Sequence, residues 1–318
     1  MQRMYKRDIA KFQAGTRSLL MAALEKNIRV YKFIKNERIF ILKKNNKTVW
    51  LRGPRLSISN PVSLWIIKDK HLTKEALKIL KIPTPDGYTA RTLDEAIAIA
   101  KKIKFPLVIK PRRHEGGEGV FLNVDSLPKL EEFFKKSLSY GRDVILEKEV
   151  YGKYYRVTMA GNKVAGILET SGLFLPGDGT RDITQLIHNY NKTALPVYKV
   201  TQKTKDILAF QGFTLKSVPK KKVSVQFSFS GSEGGVWIDR TEEICKENAL
   251  QLSKLTKYLD LKIAGIDIIA KDISQPIVSK HSPGYVLEIN GAPEFLFHLN
   301  PSAGKPRDIG KAIISTLF

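Results

Sequence analysis

Two apolar stretches near the C-terminus decide the fold: Ala264-Gly265-Ile266-Asp267-Ile268-Ile269 and Tyr285-Val286-Leu287-Glu288-Ile289-Asn290-Gly291. Both are typical of buried β-strands, yet each carries oxygen-bearing side chains. Because side chains alternate along a strand, Glu288 and Asn290 lie on one face, and Asp267 can meet them from a neighbouring strand. The sequence therefore predicts a polar cluster inside an apolar sheet.

The polar cluster of Asp267, Glu288 and Asn290 indicates a metal site. Burying three unpaired oxygens is costly, so they need a shared cation or hydrogen-bond donors. Carboxylates and an amide, with no His or Cys nearby, suit Mg²⁺, with Mn²⁺ as the alternative ion. A simpler interpretation pairs either carboxylate alone with one of the many lysines. The presence of both on apolar strands favours the metal.

A strand that ends in a lysine, followed by a glycine-rich run, indicates contacts to phosphate. The strand at 105–111 carries Lys110, and residues 114–120 follow it. Glycines let a backbone approach phosphate oxygens and present its N–H groups, while the lysine adds a point charge. An ordinary turn is the alternative, because the run lacks the ending of a P-loop. The candidate loop residues are Gly116, Gly117 and Gly119.

The next predicted strand, at 143–152, ends in charged residues and backbone suited to reading the edge of an adenine. The candidates there are Glu147, Lys148 and Val150. Such contacts are what a nucleotide bound together with the metal would require.

Arg156 lies on a strand of a predicted hairpin whose turn is Gly161-Asn162. An always-charged, planar guanidinium on a strand indicates an anionic partner. That partner is either a bound anion or a protein carboxylate, and the residues alone leave both open.

The order of these signals resembles the ATP-grasp superfamily, and within it the ATP-grasp region of cyanophycin synthetases and related peptide-forming ligases. The resemblance covers nearly the whole chain. The segments that carry it are Gly15-Thr16-Arg17 and residues 67–74, 176–187 and 298–309.

The resemblance implies ATP-dependent ligation of a carboxylate to an amine through an acyl-phosphate. It implies that Lys70 and Lys110 contact the ATP phosphates and that the glycine run closes over them. It also implies that Glu147, with the backbone of Lys148 and Val150, lines the adenine pocket.

The same resemblance implies which residues bind the metal and which residue faces the phosphoryl group. Asp267, Glu288 and Asn290 match the metal ligands of the family. Arg156 matches an arginine of the peptide-ligase branch that faces the transferred phosphoryl, and it is the predicted catalytic residue.

The chain departs from the family pattern at several points. Tyr154 stands where many relatives place an acidic residue on the ribose, and Gly265 stands where D-alanine ligases carry an arginine. The segment 230–235 matches a family serine- and glycine-rich segment only loosely. Since the chain ends at Phe318, we expect no second ligase half and not both additions of cyanophycin synthesis.

The predicted fold class is α+β, with two α/β lobes clamping ATP. We expect a truncated N-terminal lobe at 1–65 and an ATP-grasp domain at 66–318, divided into a lid at about 72–150 and a metal-binding lobe at about 151–318. The main predicted helices span 73–80, 93–103, 127–138, 241–259 and 308–317.

Composition indicates an ordinary globular protein. Of 318 residues, 42% are hydrophobic and 27% charged, and no apolar run reaches the ~20 residues that a spanning helix requires. No signal-type stretch follows the N-terminus, and the single cysteine, Cys245, excludes an internal disulfide. We therefore expect a cytoplasmic protein without membrane contact, and a homo-oligomer is left open.

The formal charge of +23 exceeds what ATP binding needs. An acidic substrate steered by a positive field and a nucleic acid are two explanations. Lysine use on solvated faces is the third, and we favour it because the lysines form small scattered clusters. Nucleic acid is not expected, since aromatic residues do not interleave with these clusters.

These features predict an ATP-dependent ligase that joins amino-acid-like or peptide substrates and releases ADP and phosphate. A glutathione-type or D-alanine-type ligase is the nearest alternative. A non-catalytic module that senses nucleotides or binds nucleic acid is an alternative of another class.

Overall fold

The computed structural model describes residues 1–114, 117–194, 197–228, 231, 235–279 and 284–318. Helices are mixed with antiparallel sheets, which confirms the α+β class. The strands are β1 (Gln2–Arg3), β2 (Arg29–Lys32), β3 (Ile39–Lys44), β4 (Lys47–Arg52), β5 (Arg55–Leu56), β6 (Gly87–Ala90), β7 (Leu107–Pro111), β8 (Phe121–Val124), β9 (Val144–Lys148), β10 (Lys153–Ala160), β11 (Lys163–Ser171), β12 (Phe174–Pro176), β13 (Ser224–Gln226), β14 (Val236–Asp239), β15 (Ile263–Ala270) and β16 (Tyr285–Asn290). The helices are α1 (Lys6–Ile9), α2 (Ala14–Glu25), α3 (Pro61–Lys68), α4 (Lys70–Ile79), α5 (Leu93–Ile103), α6 (Leu127–Leu138), α7 (Ile183–Asn191), α8 (Gln202–Phe210), α9 (Lys246–Tyr258), α10 (Leu296–Leu299) and α11 (Ile309–Leu317).

The chain forms two compact units. Unit 1 comprises Met1–Ile167, Arg240–Leu299 and Arg307–Phe318, and unit 2 comprises Leu168–Asp239 and Asn300–Pro306. These units do not coincide with the divisions expected at residues 65 and 150. The expected lobes and lid remain a prediction about subdivisions inside the chain.

The N-terminal sheet of unit 1 has the strand order β1-β2-β3-β4-β5. Helix α2 lies against α11, and their apolar side chains share one core with the sheet. Leu19, Phe40 and Ile313 are fully buried in it. The first 56 residues therefore bury their apolar face against the C-terminal helix and have no separate core.

A second sheet of unit 1 has the order β6-β9-β7-β8 and packs against α5 and α6. Its core contains Leu107, Ile109 and Leu146 from the strands with Leu130 and Phe134 from α6. Helices α5 and α6 have the limits predicted for them.

The central sheet places β10, β15 and β16 side by side, all antiparallel. Tyr155, Ile266 and Ile268 point into an apolar core on one face. Because side chains alternate, Arg156 and Asp267 lie on the other face. The hairpin of β10 and β11 turns at Gly161, which has a φ of +56°, as predicted from the Gly161-Asn162 turn signal.

Unit 2 has its own small core. The end of β11 pairs with β14, and β12 pairs with β13. Leu173, Ile183, Tyr198 and Phe227 are buried together with Val225.

Two predicted helices have different limits in the structure. The predicted helix 241–259 divides into a 3₁₀ turn at Thr241–Glu243 and α9, because Ile244 and Cys245 are extended. The predicted helix 73–80 begins earlier, at Lys70, because the side chain of Asp69 accepts hydrogen bonds from His71 and Leu72. Within the described residues, every helix is too short or too polar to cross a membrane.

Candidate functional site

Three predicted site residues lie in one row across the central sheet. Arg156 of β10 is directly opposite Asp267 of β15, and Asp267 is directly opposite Glu288 of β16. Asn290 is opposite Gly265, one side-chain step along the same face. The register shifts between Asp267 and Ile268, beside this row, and the pairing then continues from Ile268 opposite Val286. The structure therefore brings the predicted metal ligands and the predicted catalytic arginine together.

Asp267 is completely buried, and Arg156 binds both of its carboxylate oxygens. The Arg156 Nη2 to Asp267 Oδ2 distance is 3.0 Å. Burial raises the pKa of Asp267 to about 7, and the neighbouring Glu288 carboxylate adds to the rise that Arg156 opposes. Burial alone would lower the pKa of Arg156, but the charge of Asp267 outweighs it and the pKa is raised.

Glu288 and Asn290 complete the cluster. The Asn290 amide nitrogen donates to Glu288 Oε1 at 3.1 Å and to Asp267 Oδ2 at 3.4 Å. Burial would raise the pKa of Glu288, but a hydrogen bond from Asp267 and the charges of Lys110 and Lys70 hold it below its ordinary value. The pKa shifts of these two adjacent carboxyl groups are therefore opposite in direction.

This donor set fits a hard divalent cation. Two adjacent buried carboxylates repel each other, and a bound cation would offset that repulsion. Among the described residues no group of three His, Cys, Asp or Glu side chains converges. The third protein ligand would therefore be Asn290, and its amide oxygen is available by rotation of the amide. Oxygen ligands of this kind suit Mg²⁺ better than a transition metal.

Lys110, the predicted phosphate lysine, belongs to a buried ion-pair cluster. Lys110 Nζ of β7 lies 2.8 Å from Glu147 Oε2, and Lys74 Nζ of α4 lies 2.9 Å from Glu147 Oε1. All three side chains are at most 9% exposed. Burial would raise the pKa of Glu147, but the two lysines lower it. Glu147 was predicted at the adenine pocket, and the structure shows its carboxylate holding two lysines.

Sequence reasoning assigned no role to Lys74. Its Nζ also donates to Thr84 Oγ1 at 3.1 Å and to the Pro85 carbonyl at 2.6 Å. Burial lowers the pKa of Lys74 although Glu147 opposes the change. The available signal was a lysine next to Ala76 and Leu77 on the buried face of α4.

The side chain of Lys70, in helix α4, contacts the first residue of the glycine run. Its Nζ donates to the His114 carbonyl at 2.6 Å. The preceding Asp69 forms ion pairs of 2.8 Å with both Arg112 and Arg113. These contacts anchor helix α4 to the segment that leads into the predicted phosphate loop.

Two glycines of the run adopt a backbone conformation that favours glycine, and one of them also lacks space for a side chain. Gly117 and Gly119 have φ angles of +77° and +71°, a region that side chains disfavour. A Cβ on Gly119 would lie 2.8 Å from Pro111 Cγ and 2.7 Å from the Tyr140 ring. Gly116 lies outside the described residues.

Strand β9 ends at the predicted adenine contacts. The Lys148 N–H donates to the Asp86 carbonyl at 2.7 Å, and its Nζ donates to the Phe105 carbonyl at 2.8 Å. Both the backbone N–H and the side-chain amine of Lys148 therefore donate to protein carbonyls. Val150 follows the strand and is half-buried.

Gly265 and Tyr154, two departures from the family pattern, both lie near Asp267. A Cβ on Gly265 would lie 2.7 Å from Pro293 Cβ, so Pro293 occupies the space that a side chain would need. Burial and the charge of Asp267 raise the pKa of Tyr154 well above the ordinary value.

Several known proteins are similar to this chain in sequence or in fold. Residues 69–155 match the family model "Carbamoyl-phosphate synthase L chain, ATP binding domain". Cyanophycin synthetase of Synechocystis sp. is 32% identical over 266 residues, which cover 79% of this chain and 30% of that protein. The glutathione biosynthesis bifunctional protein GshAB of Pasteurella multocida is 25% identical over 322 residues, which cover 96% of this chain and 42% of that protein.

The crystal structure of a bifunctional glutathione synthetase from Pasteurella multocida matches with a TM-score of 0.69 and 23% identity, over 98% of this chain and 44% of that one. The chain belongs to the ATP-grasp superfamily. The predicted family and the ATP-grasp fold are thereby confirmed. This ATP-grasp chain spans about 30% of the length of the cyanophycin synthetases it matches.

Proposed function

We propose that this chain is an ATP-dependent carbon–nitrogen ligase that forms an amide or peptide bond between amino-acid-like substrates. The row of Arg156, Asp267 and Glu288, with the charges of Lys110 and Lys70 acting on it, carries the proposal. It combines oxygen ligands for a divalent cation with cationic groups for a polyphosphate. The names of the relatives, synthetases of cyanophycin and of glutathione, support the same class.

The proposed reaction has two steps. A substrate carboxylate attacks the γ-phosphorus of ATP, the bond to the β-phosphate oxygen breaks, and ADP leaves. An amine then attacks the acyl carbon, inorganic phosphate leaves with the C–O bonding electrons, and the amine nitrogen loses a proton.

The residues of the site have separate roles in this proposal. Asp267, Glu288 and Asn290 would hold Mg²⁺, which supplies charge neutralisation at phosphate oxygens when bound. Lys110 and Lys70 bind phosphate oxygens, and Glu147 holds Lys110 in position. Arg156 offsets negative charge that develops on the transferred group.

A screen for ADP and phosphate release tests the proposal. Amino acids and short peptides are offered singly and in pairs with ATP and Mg²⁺. We expect one pair to release ADP and phosphate in equal amounts, and chelation of Mg²⁺ to stop it. No release above an Asp267→Asn control with any pair would contradict a ligase and favour a non-catalytic module.

Glutathione-type ligation is the second candidate. The match to the Pasteurella multocida protein covers 96% of this chain, against 79% for cyanophycin synthetase. Release of ADP with γ-glutamylcysteine and glycine, and not with other pairs, would select it.

The kind of substrate follows from the same proposal. We infer small amino-acid or peptide substrates and no membrane partner. The cytoplasmic location and a homo-oligomer stay predictions.

A further inference from the structure

A cleft of about 510 Å³ opens in unit 1 outside the residues assigned to ATP and metal. Its walls come from three places in the chain. They are the start of α2, the loops of the N-terminal sheet before β3 and after β4, and the segment that follows β16.

Three arginines line this cleft: Arg38, Arg52 and Arg55. Arg52 and Arg55 are directly opposite each other in the pairing of β4 with β5. Like charges in such a position repel each other. Across the described residues, none of the three arginines has a carboxylate within ion-pair distance. A bound anion would offset this repulsion.

Thr16 adds a buried polar group to the same cleft. It is only 6% exposed, and its hydroxyl has no hydrogen-bond partner among the described residues. Thr16 lies in the first turn of the 12-residue helix α2, whose Gln13 N-cap side chain makes no capping bond. A ligand oxygen would satisfy both the hydroxyl and first-turn N–H groups.

Two carboxylates also line the cleft, Glu37 and Glu294. Glu294 Oε1 already accepts from the Phe295 and Leu296 N–H groups at 2.8 and 3.0 Å. A ligand that carries an amino group as well as a carboxylate would match both signs of charge.

The cleft adjoins the predicted metal site. Ala292 lines it and stands two residues after Asn290, so their Cα atoms are within roughly 7 Å. We propose that the cleft holds one of the two ligase substrates, an amino acid or short peptide, by binding its carboxylate at Arg52, Arg55 and Thr16. This inference rests on the proposed function and assigns its substrate subsite.

Direct binding tests the inference without turnover. The twenty standard amino acids and a set of dipeptides are titrated calorimetrically into the full chain with Mg²⁺ and a non-hydrolysable ATP analogue. We expect at least one to bind, and its carboxamide form to bind at least roughly tenfold more weakly, because a charge-assisted bond is lost. Arg52→Gln and Arg55→Gln should each weaken binding by a similar factor, and Thr16→Val by less.

Arg29→Gln is the matched control, since Arg29 is an exposed arginine of the same sheet that does not line the cleft. It should leave binding unchanged, and all variants should keep the Kd of the ATP analogue. The inference is overturned if no probe binds, if the cleft variants bind like wild type, or if the control loses as much affinity as they do.

The two proposals fail separately. Turnover with normal substrate KM in Arg52→Gln and Arg55→Gln would overturn the cleft assignment and leave the ligase proposal intact. Binding that the cleft variants abolish, without ADP release from any pair, would support the cleft and overturn the ligase.

Discussion

Arg156 and Asp267 face each other directly across β10 and β15, and the guanidinium contacts both oxygens of a carboxylate that is completely buried. A buried bidentate pair is costly to break from one side, because it leaves a charge without water or partner. The same pair stands beside Glu288, so it is both a structural contact and part of the proposed metal site.

Arg156→Ala should lower both stability and kcat. Loss of one partner of a buried pair costs roughly 3–5 kcal/mol, and loss of a preorganised charge donor commonly costs on the order of 10²-fold to 10³-fold in kcat. Arg156→Lys keeps the charge without the planar fork and should recover part of kcat. Urea unfolding and ADP release measure the two effects.

The double variant Arg156→Ala/Asp267→Asn is the control for stability. It removes both charges and should regain much of the unfolding free energy while remaining inactive. An Arg156→Ala protein with normal kcat and a lowered melting temperature would make Arg156 only a structural partner of Asp267.

Substitution of Lys110 should weaken nucleotide binding, whereas substitution of Lys74 should mainly lower the stability of the fold. Both ion-pair with Glu147, but Lys74 also donates to Thr84 and Pro85, and so is committed to protein contacts. Lys110→Met and Lys70→Met should each raise the Kd of a non-hydrolysable ATP analogue roughly tenfold or more. Lys74→Met should destabilise the fold and change that Kd much less. Equal losses of affinity for the ATP analogue in Lys110→Met and Lys74→Met would contradict the different roles predicted for the two lysines.

Asp69 should make stability depend on acid pH. Burial opposes ionisation, but hydrogen bonds from Arg112 and Arg113 lower its pKa from 3.8 to about 2. The ionised form is therefore favoured by folding, by roughly 2 kcal/mol above pH 4, and this contribution is lost as pH falls from about 4 through 2. Asp69→Asn keeps a helix-capping side chain, so its deficit in unfolding free energy should shrink over that range.

Urea midpoints at pH 7, 4, 3 and 2 check the Asp69 prediction. Asp94→Asn, an exposed carboxylate at the start of α5, is the control and should change the midpoint little. A deficit for Asp69→Asn that stays constant down to pH 2 would show that its charge is not the cause.

Gly265→Ala should strain the packing of β15 against Pro293. The added Cβ would lie 2.7 Å from Pro293 Cβ, closer than an ordinary contact. Overpacking of this kind costs about 1–3 kcal/mol, and a shift of Pro293, three residues after Asn290, should lower kcat as well. Gly141→Ala is the control, because the nearest atom to its Cβ is 3.8 Å away. Similar stability and activity for both alanine variants would contradict the packing at Gly265.

The polar row could be predicted because it depends on local rules. Alternation along β15 and β16 fixes which side chains share a face, and adjacent strands bring Asp267 opposite Glu288. The turn signal at Gly161-Asn162 placed Arg156 on a strand beside them. Helices α5 and α6 were predicted for the same reason, since each has a clear apolar stripe.

The rest depends on contacts between distant segments. The sequence did not predict that helix α4 and strand β7 bring Lys74 and Lys110 to Glu147 from either side. The contact of Glu147 with adenine stays a prediction. Which lysine of a helix is buried depends on what the helix packs against. The boundary of unit 2 falls within β11, between Ile167 and Leu168, where the strand pattern continues without a linker. The cleft arginines likewise meet Thr16 only through folding.

The magnesium site should also be measurable without turnover. Glu288→Gln removes one carboxylate of the pair, so Mg²⁺ should strengthen binding of the ATP analogue much less than in wild type. Calorimetry with and without Mg²⁺ gives this difference. Arg29→Gln is again the control and should show the full effect of Mg²⁺.

ADP release by folded Glu288→Gln, with Mg²⁺ and the substrate pair found by the screen, tests the central claim most directly. The glutamine keeps the size of the side chain, so the melting temperature should stay near that of wild type. If Asp267, Glu288 and Asn290 form the metal site of a ligase, the rate should fall by on the order of 10²-fold or more. A rate near that of wild type from the folded variant would contradict the account.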